Sequence, residues 1–250
     1  MQGKIALVTG STSGIGRAIA EAFALRGARV VIHGREAALA PQIAAELRAR
    51  GYDADGIVAD LVDPDACRRV VRFVVERYGA IDILVNNAAT LARGRLEDVS
   101  VERWDAVMAL NLRAPFICLQ EAVAFMKTRG GSIVNIGSIN AYCGDPKLGA
   151  YSVSKGGLMT LTRNASVALA SYRIRVNQIN PGWTLTEGER EVQRAEGNGD
   201  EWLDQAIATR PFGRLLSPED VAAAAVYFAS DASGLVSGAV LEVEQFPILK

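Results

Sequence analysis

Short apolar segments alternate with longer amphipathic segments along this 250-residue chain, and this alternation constrains the fold more than any other feature. The apolar segments are continuous, as expected of strands that helices cover on both faces of a sheet. Strands and helices that alternate in this way predict a mostly parallel sheet. The seven predicted strands are residues 4–9, 28–33, 54–59, 81–85, 132–136, 174–179 and 239–243.

The amphipathic segments predict the helices that connect these strands. Pro115 lies inside the longest of them, where we expect a bend or a break. A polar stretch within residues 184–212 predicts a small insert that covers a substrate. Because no linker, repeat or second core is evident, residues 1–250 are predicted to form one domain. The predicted helices are residues 14–26, 39–50, 64–78, 100–127, 150–171 and 217–229.

Charge and cysteine usage exclude several classes of partner. Lys and Arg total 27 and Asp and Glu total 28, so the net charge of −1 predicts neither a nucleic acid nor a membrane partner. No apolar run is expected to reach the about 20 residues that span a bilayer, and no signal peptide is recognisable. Cys67, Cys118 and Cys143 are scattered, which predicts no metal site and no disulfide framework. Reduced thiols predict a cytoplasmic protein.

A glycine-rich turn joins the first predicted strand to the first helix and reads Thr-Gly-Ser-Thr-Ser-Gly-Ile-Gly over residues 9–16. Glycines let the backbone approach a dinucleotide pyrophosphate, and the helix N-terminus supplies free N–H donors. The spacing is not that of a P-loop. We therefore predict a doubly wound, Rossmann-type sheet that binds a dinucleotide at the carboxyl ends of its strands. The predicted contacts in this turn are Gly10, Ser11, Thr12, Ser13, Gly14, Ile15 and Gly16.

Tyr151 and Lys155 lie four residues apart, and Ser138 lies thirteen residues before the tyrosine. A phenol titrates near pH 10, which is too high for efficient proton exchange at neutral pH. An ammonium one helical turn away favours the phenolate and lowers the pKa of the tyrosine. The Ser138 hydroxyl can hold the oxygen that gains or loses the proton. The three residues together predict acid–base chemistry at an alcohol or a carbonyl.

With the glycine turn and these three residues both present, nearly the whole chain resembles the compact short-chain dehydrogenases/reductases. The stretch Asn86-Asn87-Ala88-Ala89 resembles the family's Asn-Asn-Ala-Gly, with Ala89 in place of glycine. Asn111 matches the asparagine of the family's catalytic tetrad. The resemblance implies the fold predicted above and an oxidoreductase that uses a nicotinamide cofactor.

The resemblance also implies a role for each catalytic residue. Tyr151 would exchange the proton with the substrate oxygen, and Ser138 would position the carbonyl. Lys155 would lower the pKa of Tyr151 and bind the nicotinamide ribose. Asn111 would hold a water molecule that links Lys155 to solvent.

Further cofactor contacts are implied by the same resemblance. Asp60 and Leu61 resemble the pair beside the adenine, and Pro181, Gly182 and Thr184 resemble the segment beside the nicotinamide. The implied contacts outside the glycine turn are Gly34, Arg35, Asp60, Leu61, Asn87, Ala88, Ala89, Tyr151, Lys155, Pro181, Gly182 and Thr184.

The end of the second predicted strand favours NADP(H) over NAD(H). NAD-binding chains offer an acidic residue to the ribose hydroxyls, and in the family this acid usually stands where Gly34 is found. Without it there is space for a 2′-phosphate, which Arg35 could bind through charge-assisted hydrogen bonds. Many NADP-using relatives carry a basic residue where this chain has Ser13, so NAD(H) stays an alternative. The only histidine, His33, is expected to be structural.

Aromatic and polar residues follow Ser138 and Pro181, and this mixture predicts a polar or cyclic alcohol as the substrate, such as a sugar or a polyol. Loops of this type exclude water from a bound substrate. The predicted substrate contacts are Ser138, Asn140, Tyr142, Cys143, Asp145, Tyr151 and Trp183.

The leading functional hypothesis is an NADP(H)-dependent oxidoreductase that interconverts a secondary alcohol with a ketone or aldehyde. An epimerase or dehydratase, and a non-catalytic nucleotide-sensing protein on the same fold, are the alternatives.

Members of the family are commonly tetramers, so a homotetramer or a homodimer is predicted. Helix residues that could face either another subunit or the protein's own core are Ala122, Phe125, Met126, Leu158, Leu161 and Leu169. The apolar end of the tail could dock on a neighbouring subunit.

Overall fold

The structure is a computed structural model that describes residues 1–142 and 145–246. Its strands are β1 (Ile5–Val8), β2 (Arg29–Gly34), β3 (Ala54–Val58), β4 (Ile83–Asn86), β5 (Gly131–Ile136), β6 (Ile174–Pro181) and β7 (Val240–Val243). They form one sheet in the order β3-β2-β1-β4-β5-β6-β7, and every neighbouring pair is parallel. The predicted seven-stranded sheet is confirmed. Its strand order reverses between β1 and β4, which is where doubly wound sheets bind ligands.

Helices cover both faces of the sheet, as the continuous apolar strands predict. Two clusters of buried hydrophobic residues lie between helices and sheet, one on each face. Helices α1, α2 and α9 pack on one face, and α3, α5 and α6 on the other. The bounds are α1 (Gly14–Ala24), α2 (Leu39–Ala49), α3 (Pro64–Tyr78), α4 (Val101–Met108), α5 (Ala114–Met126), α6 (Gly149–Ala168), α7 (Glu187–Ala195), α8 (Trp202–Ala208) and α9 (Pro218–Ala229).

Side chains that cap exposed backbone N–H groups fix where several helices begin. The Asp63 carboxylate accepts hydrogen bonds from the N–H groups of Asp65 (2.9 Å) and Ala66 (3.2 Å), and Pro64 occupies the first turn of α3. Ser217 and Asp220 form a capping box at the start of α9. These are the start signals that the sequence carries, because such caps satisfy the orphan donors of a first helical turn.

The irregularity expected near Pro115 is a π-helical turn, Ala109–Arg113, which separates α4 from α5. Pro115 itself lies in the first turn of α5, where its missing N–H is best tolerated. In an α-helix that N–H would bond the carbonyl of Asn111, four residues earlier. The proline therefore deprives the Asn111 carbonyl of its α-helical donor.

The expectation that no apolar run reaches membrane-spanning length needs correction. The helical stretch Val101–Met126 has 26 residues and a mean hydropathy of 1.2 in its most apolar 18-residue window, so its length and composition alone would suffice. Within the protein, 56% of that window is buried. The burial follows from the packing of α5 against the sheet and α3.

Most of the helix residues considered for subunit contacts belong to the protein's own core. Ala122, Met126, Leu158 and Leu169 are at most 9% exposed. They are buried within a single copy of the chain, so they are unavailable to a second subunit in this fold. The prediction for the apolar tail beyond Phe246 lies outside the described residues.

Candidate active site

The glycine turn after β1 is held against the end of β4 by hydrogen bonds from Asn87. Its Nδ2 atom donates to the carbonyls of Thr9 and Gly10, both at 2.9 Å, and its backbone N–H donates to Thr9 Oγ1 at 3.0 Å. A Cβ atom added at Gly10 would lie 2.8 Å from Cα of Ala88, and one at Gly16 would lie 2.3 Å from the Gly10 carbonyl oxygen. Only glycine allows these close approaches, which leave a smooth backbone surface for a pyrophosphate.

A groove of about 570 Å³ runs along this turn and past the ends of β2, β3 and β4. It brings together most of the residues predicted to bind the cofactor, and their small side chains and free backbone fit a dinucleotide. Ser11 is the exception within the turn: it is fully buried, and its hydroxyl donates to the Val8 carbonyl at 2.7 Å. The predicted residues that line the groove are Gly10, Thr12, Ser13, Gly14, Ile15, Gly16, Gly34, Arg35, Asp60, Leu61, Asn87, Ala88, Ala89 and Tyr151.

His33 connects the glycine turn to the loop after β3. Its Nδ1 atom accepts a hydrogen bond from the Gly10 N–H at 3.0 Å, so the ring proton lies on Nε2, which is 3.1 Å from the Ala59 carbonyl oxygen. Burial lowers the pKa of His33 to about 4, so the ring is neutral at physiological pH. The arrangement agrees with the structural role expected of this residue.

A second cavity, of about 540 Å³, lies beyond the ends of β5 and β6. Tyr151 lines both this cavity and the dinucleotide groove. Tyr151 therefore lies at the junction of the dinucleotide groove and the second cavity. The predicted site residues around the second cavity are Ile15, Asn87, Ala89, Ser138, Asn140, Asp145, Tyr151, Lys155, Pro181, Gly182, Trp183 and Thr184.

Helix α6 places Tyr151 and Lys155 one turn apart, so they lie on the same face. Lys155 Nζ lies 5.6 Å from the centroid of the Tyr151 ring and donates to the Ile136 carbonyl at 2.7 Å. Burial lowers the pKa of Lys155 to about 8. Burial also raises the pKa of Tyr151, and the Ser138 side chain opposes this by lowering it. In this arrangement burial dominates the pKa of Tyr151, and the lowering expected from Lys155 stays a prediction.

Ser138 follows β5 and is positioned by Asn180 on β6. Its N–H donates to Asn180 Oδ1 at 3.1 Å, and its hydroxyl accepts from the Asn140 N–H at 3.2 Å. A Cβ atom at Gly137 would lie 2.0 Å from Asn180 Oδ1. Glycine at position 137 thus lets the Asn180 side chain reach the backbone that carries Ser138.

Asn111 is fully buried beneath the site and lines neither cavity. Its Oδ1 accepts from the Thr90 N–H at 2.8 Å, and its Nδ2 donates to the Thr90 carbonyl at 3.0 Å and to Ser154 Oγ at 3.1 Å. These bonds occupy the side chain, so a water molecule would have to use the backbone carbonyl that Pro115 leaves without its helical donor. The water-binding role of Asn111 stays a prediction.

The structure places two of the predicted substrate contacts differently from the others. The Tyr142 hydroxyl donates a hydrogen bond to the Glu242 carboxylate, outside the second cavity. Cys143 lies outside the described residues. Trp183 does line the cavity; its indole Nε1 donates to Glu189 Oε1 at 2.8 Å and its ring stacks on Trp202 at 6.1 Å.

Several residues of the second cavity have no recognisable motif in the sequence. They come from the loop after β4, from α7, from the segment after α8 and from the end of β7, which are distant in the sequence. The one available signal is Glu244, which stands in the tail where many family members have Val-Asp-Gly-Gly. The polar residues that motif analysis misses are Arg93, Glu189, Gln193, Arg210 and Glu244.

The doubly wound sheet and the glycine turn are those of a dinucleotide-dependent enzyme, and Tyr151 lines both of the adjoining spaces. A family model described as enoyl-(acyl carrier protein) reductase matches residues 10–245. An uncharacterized oxidoreductase of Thermotoga maritima is 38% identical over 244 residues, which cover 97% of this chain and 96% of that protein. The chain belongs to the short-chain dehydrogenase/reductase family.

Two further relatives have more specific names. An NADP-dependent (R)-specific alcohol dehydrogenase of Lentilactobacillus kefiri is 35% identical over 98% of this chain and 96% of that protein. The crystal structure of a gluconate 5-dehydrogenase from Burkholderia cenocepacia, in complex with NADP and tartrate, superposes with a TM-score of 0.90. It is 33% identical and covers 98% of this chain and 95% of that chain. The protein is therefore an oxidoreductase that uses a nicotinamide cofactor, and the sensor alternative is set aside.

Proposed function

We propose that this oxidoreductase interconverts a secondary alcohol and a ketone, or an aldehyde and its alcohol, with NADP(H) as cofactor and Tyr151 as the general acid and base. The observation that carries the proposal is the position of Tyr151, which lines both the dinucleotide groove and the second cavity. A residue in that place can touch a substrate whose reacting carbon faces the cofactor site. Proximity of this kind is the main contribution that a protein makes to hydride transfer.

In the reductive direction, Tyr151 donates its phenolic proton to the carbonyl oxygen as the carbonyl carbon gains a hydride. A bound nicotinamide cofactor supplies that hydride and with it both electrons. Ser138 donates a hydrogen bond to the same oxygen and stabilises its developing charge. In the oxidative direction, the Tyr151 phenolate takes the hydroxyl proton back.

Lys155 supports this exchange from one turn along α6. Its ammonium, with a pKa lowered by burial to about 8, lies 5.6 Å from the Tyr151 ring centroid. A positive charge at that distance favours the phenolate over the neutral phenol. The proton that Tyr151 gives up is restored from solvent through Lys155 and a water molecule bound to the backbone carbonyl of Asn111, whose α-helical donor position is occupied by Pro115.

Two features of the groove support NADP(H). A Cβ atom at Gly34 would lie 2.5 Å from Cγ2 of Thr12, so an acidic side chain there would need Thr12 to move. Arg35 lines the same groove and is exposed, as a residue that binds a 2′-phosphate should be. The relatives named for NADP agree with this preference. Glu36 also lines the groove and could accept hydrogen bonds from ribose hydroxyls, which keeps NAD(H) as the alternative cofactor.

The proposal is tested by cofactor turnover at 340 nm on a panel of ketones, aldehydes, sugars and polyols, with NADPH and NADH compared at equal concentration. We expect NADPH-dependent reduction of at least one ketone and the reverse reaction with the matching alcohol. Tight NADPH binding without turnover of any member of the panel would overturn the proposed reaction.

We also propose a homotetramer, with a homodimer as the alternative. Phe116 on α5 and Val153 on α6 are 45% and 52% exposed, and such apolar side chains on neighbouring helices are suited to a second copy. Light scattering coupled to gel filtration measures the number of chains. We expect Phe116→Glu to reduce that number, and a monomeric unmodified protein would refute the assembly.

A further inference from the structure

Arg210 is packed into the wall of the second cavity by two aromatic rings. Its guanidinium carbon lies 5.4 Å from the Trp183 ring centroid and 5.4 Å from that of Phe246, and its side chain is 16% exposed. The closest acidic oxygen, on Glu244, is 3.9 Å from Nη1, so the two side chains form an ion pair without a hydrogen bond. The buried Nε atom has no hydrogen-bond partner within residues 1–142 and 145–246. The rings fix the guanidinium, while its N–H groups are left to bind a ligand.

The acidic side chains that face this cavity are those of Asp145, Glu189 and Glu244, and each already accepts a hydrogen bond from the protein. Asp145 Oδ1 accepts from the Lys147 N–H at 2.7 Å. Glu189 Oε1 accepts from Trp183 Nε1 at 2.8 Å and from Gln193 Nε2 at 2.7 Å. Glu244 accepts from the backbone N–H of Gln245 at 2.6 Å. These acids are thus held in place by other donors and are not aligned to satisfy Arg210.

A second arginine in the same cavity has a similar unmet donor. Arg93 Nη1 contacts both carboxylate oxygens of Glu196, at 3.2 and 3.4 Å, which ties the loop after β4 to the end of α7. Its Nε atom is buried and has no partner in the part of the chain that the structure describes. A buried charged donor without an acceptor is unfavourable, so the cavity favours a ligand that brings acceptor oxygens.

We propose that Arg210 binds a carboxylate of the substrate, so that the enzyme acts on oxo acids and the corresponding hydroxy acids. The inference rests on the proposed alcohol–carbonyl function and narrows its substrate class. In the reductive direction, an oxo acid, a hydride and a proton give a hydroxy acid. The carboxylate is unchanged by the reaction, and its role is to fix the reacting carbonyl beside Tyr151.

The chemistry of the site favours a carboxylate over other anions. A guanidinium fork matches the two oxygens of a planar carboxylate and forms two charge-assisted hydrogen bonds with it. Glu244, only 3.9 Å from Arg210, would repel a doubly charged phosphate more strongly than a singly charged carboxylate. The Glu244 oxygens can in turn accept hydrogen bonds from substrate hydroxyls next to the carboxylate, as in a polyhydroxy acid.

Matched pairs of charged and neutral ketones test the proposal directly. With NADPH, kcat/KM is measured for 4-oxopentanoate, 5-oxohexanoate and 5-oxogluconate, and for the amide of each. We expect each acid that is turned over to exceed its amide by at least about tenfold, the effect of one charge-assisted hydrogen-bonded pair. Arg210→Met should lower kcat/KM for the acid by about 100-fold and change that for the amide by less than about threefold.

A binding measurement separates recognition from catalysis. Trp183 is in contact with Arg210, so glutarate, which cannot be reduced, should change the tryptophan fluorescence with saturation, whereas glutaramide should not. Arg210→Met should abolish the glutarate response at an unchanged melting temperature. Arg214→Met is the matched control, because Arg214 pairs with Asp220 outside the cavity, and it should respond to glutarate like the unmodified protein.

Glu244→Gln provides a change in the opposite direction. It removes the negative charge beside Arg210 and should raise the affinity for glutarate severalfold.

Equal turnover of acids and amides, or equal losses for both in Arg210→Met, would overturn the carboxylate inference while leaving the alcohol–carbonyl function intact. A preference for dihydroxyacetone phosphate over every oxo acid would overturn it as well. No turnover of any ketone, charged or neutral, would instead refute the proposed function.

Discussion

The amide nitrogen of Asn111 donates a hydrogen bond to Ser154 Oγ at 3.1 Å, and Ser154 Oγ donates in turn to the backbone carbonyl of Tyr151 at 2.6 Å. The same Asn111 amide holds both backbone polar groups of Thr90. A buried asparagine thus connects the loop after β4 to the turn of α6 that carries Tyr151, the proposed proton donor. In this structure its side chain acts as a positioning group, whatever its backbone carbonyl binds.

Asn111→Leu should reduce turnover more than cofactor binding. It leaves the buried groups of Thr90 and Ser154 unpaired, so we expect a loss of about 2–4 kcal/mol of unfolding free energy. We also expect kcat to fall by about 10- to 100-fold because Tyr151 is less well positioned, with the Kd for NADPH changed less than about threefold. Urea unfolding, steady-state kinetics and NADPH fluorescence measure the three quantities.

Ser132→Ala is the control for this prediction. It removes a buried hydrogen bond from Ser132 Oγ to the Phe228 carbonyl at 2.8 Å, in a residue that lines neither the dinucleotide groove nor the second cavity. It should destabilise the protein while leaving kcat close to that of the unmodified enzyme. If both variants lose the same fraction of kcat, or if Asn111→Leu loses none, Asn111 has no specific effect on Tyr151.

The buried ammonium group of Lys155 lowers the unfolding free energy of the protein. Burial depresses its pKa from 10.5 to about 8, which corresponds to about 3 kcal/mol of unfavourable free energy for the charged form in the folded state. This penalty is fully present below pH 8. Between pH 8 and pH 10.5 the folded protein loses the Lys155 proton while the unfolded chain keeps it, so the penalty disappears as the pH rises.

Lys155→Met should therefore stabilise the protein at pH 7 and abolish its activity. The lost hydrogen bond to the Ile136 carbonyl offsets part of the gain, so we expect a net increase of about 1–2 kcal/mol in unfolding free energy. The difference between the variant and the unmodified protein should shrink between pH 8 and pH 10.5. If the variant and the unmodified protein have the same unfolding free energy at pH 7 and also at pH 10, Lys155 does not carry a buried charge.

His33 should make the stability depend on pH in the acidic range. The pKa of His33 is about 4 in the folded protein, below the ordinary value of 6.5. Between these two pH values the ring is protonated in the unfolded chain and neutral in the folded protein. Stability is therefore complete above pH 6.5 and falls as the pH is lowered toward 4. Between pH 7.5 and pH 5 the loss due to this group should be about 2 kcal/mol.

His33→Asn removes the titrating ring, so its unfolding free energy should fall by about 2 kcal/mol less over that interval than that of the unmodified protein. Urea unfolding at the two pH values measures the difference. Because Nδ1 accepts from the Gly10 N–H, protonation should also weaken NADPH binding in parallel. Identical pH dependence of the two proteins would contradict the neutral, buried state of His33.

Arg35 tests the cofactor preference. Arg35→Ala should lower kcat/KM for NADPH by about 10- to 30-fold through the loss of charge-assisted bonds to the 2′-phosphate, and should leave that for NADH within about threefold. Glu36→Ala is the complementary variant. It should lower kcat/KM for NADH and leave kcat/KM for NADPH unchanged. Equal kcat/KM values of the unmodified enzyme for NADH and NADPH would contradict the preference for NADP(H).

Local motifs predicted much of the fold, because each motif depends on neighbours in the sequence. Most of the residues that these motifs assign to the cofactor line one groove. The glycine turn needs only its own backbone, and Tyr151 and Lys155 share a face because they lie one helical turn apart. Pro115 signalled a break, whose form as a π-helical turn depends on packing against the sheet.

The wall of the second cavity could not be predicted in the same way. Arg210 and Glu244 come from segments that are adjacent only after β7 pairs with β6. Tyr142 shows the opposite error: it is close to Ser138 in the sequence, yet its side chain binds Glu242 on β7. Proximity in the sequence fixes the position of a backbone more reliably than the direction of a side chain in an irregular loop.

The most direct test of the central claim is the turnover rate of Tyr151→Phe with NADPH and the best ketone of the panel, measured beside its Kd for NADPH. The substitution keeps the aromatic ring that lines both spaces and removes only the proton donor. We predict that kcat falls by at least about 1,000-fold while the Kd for NADPH stays within about threefold. A variant that reduces the ketone at a rate close to that of the unmodified enzyme would contradict the role assigned to Tyr151.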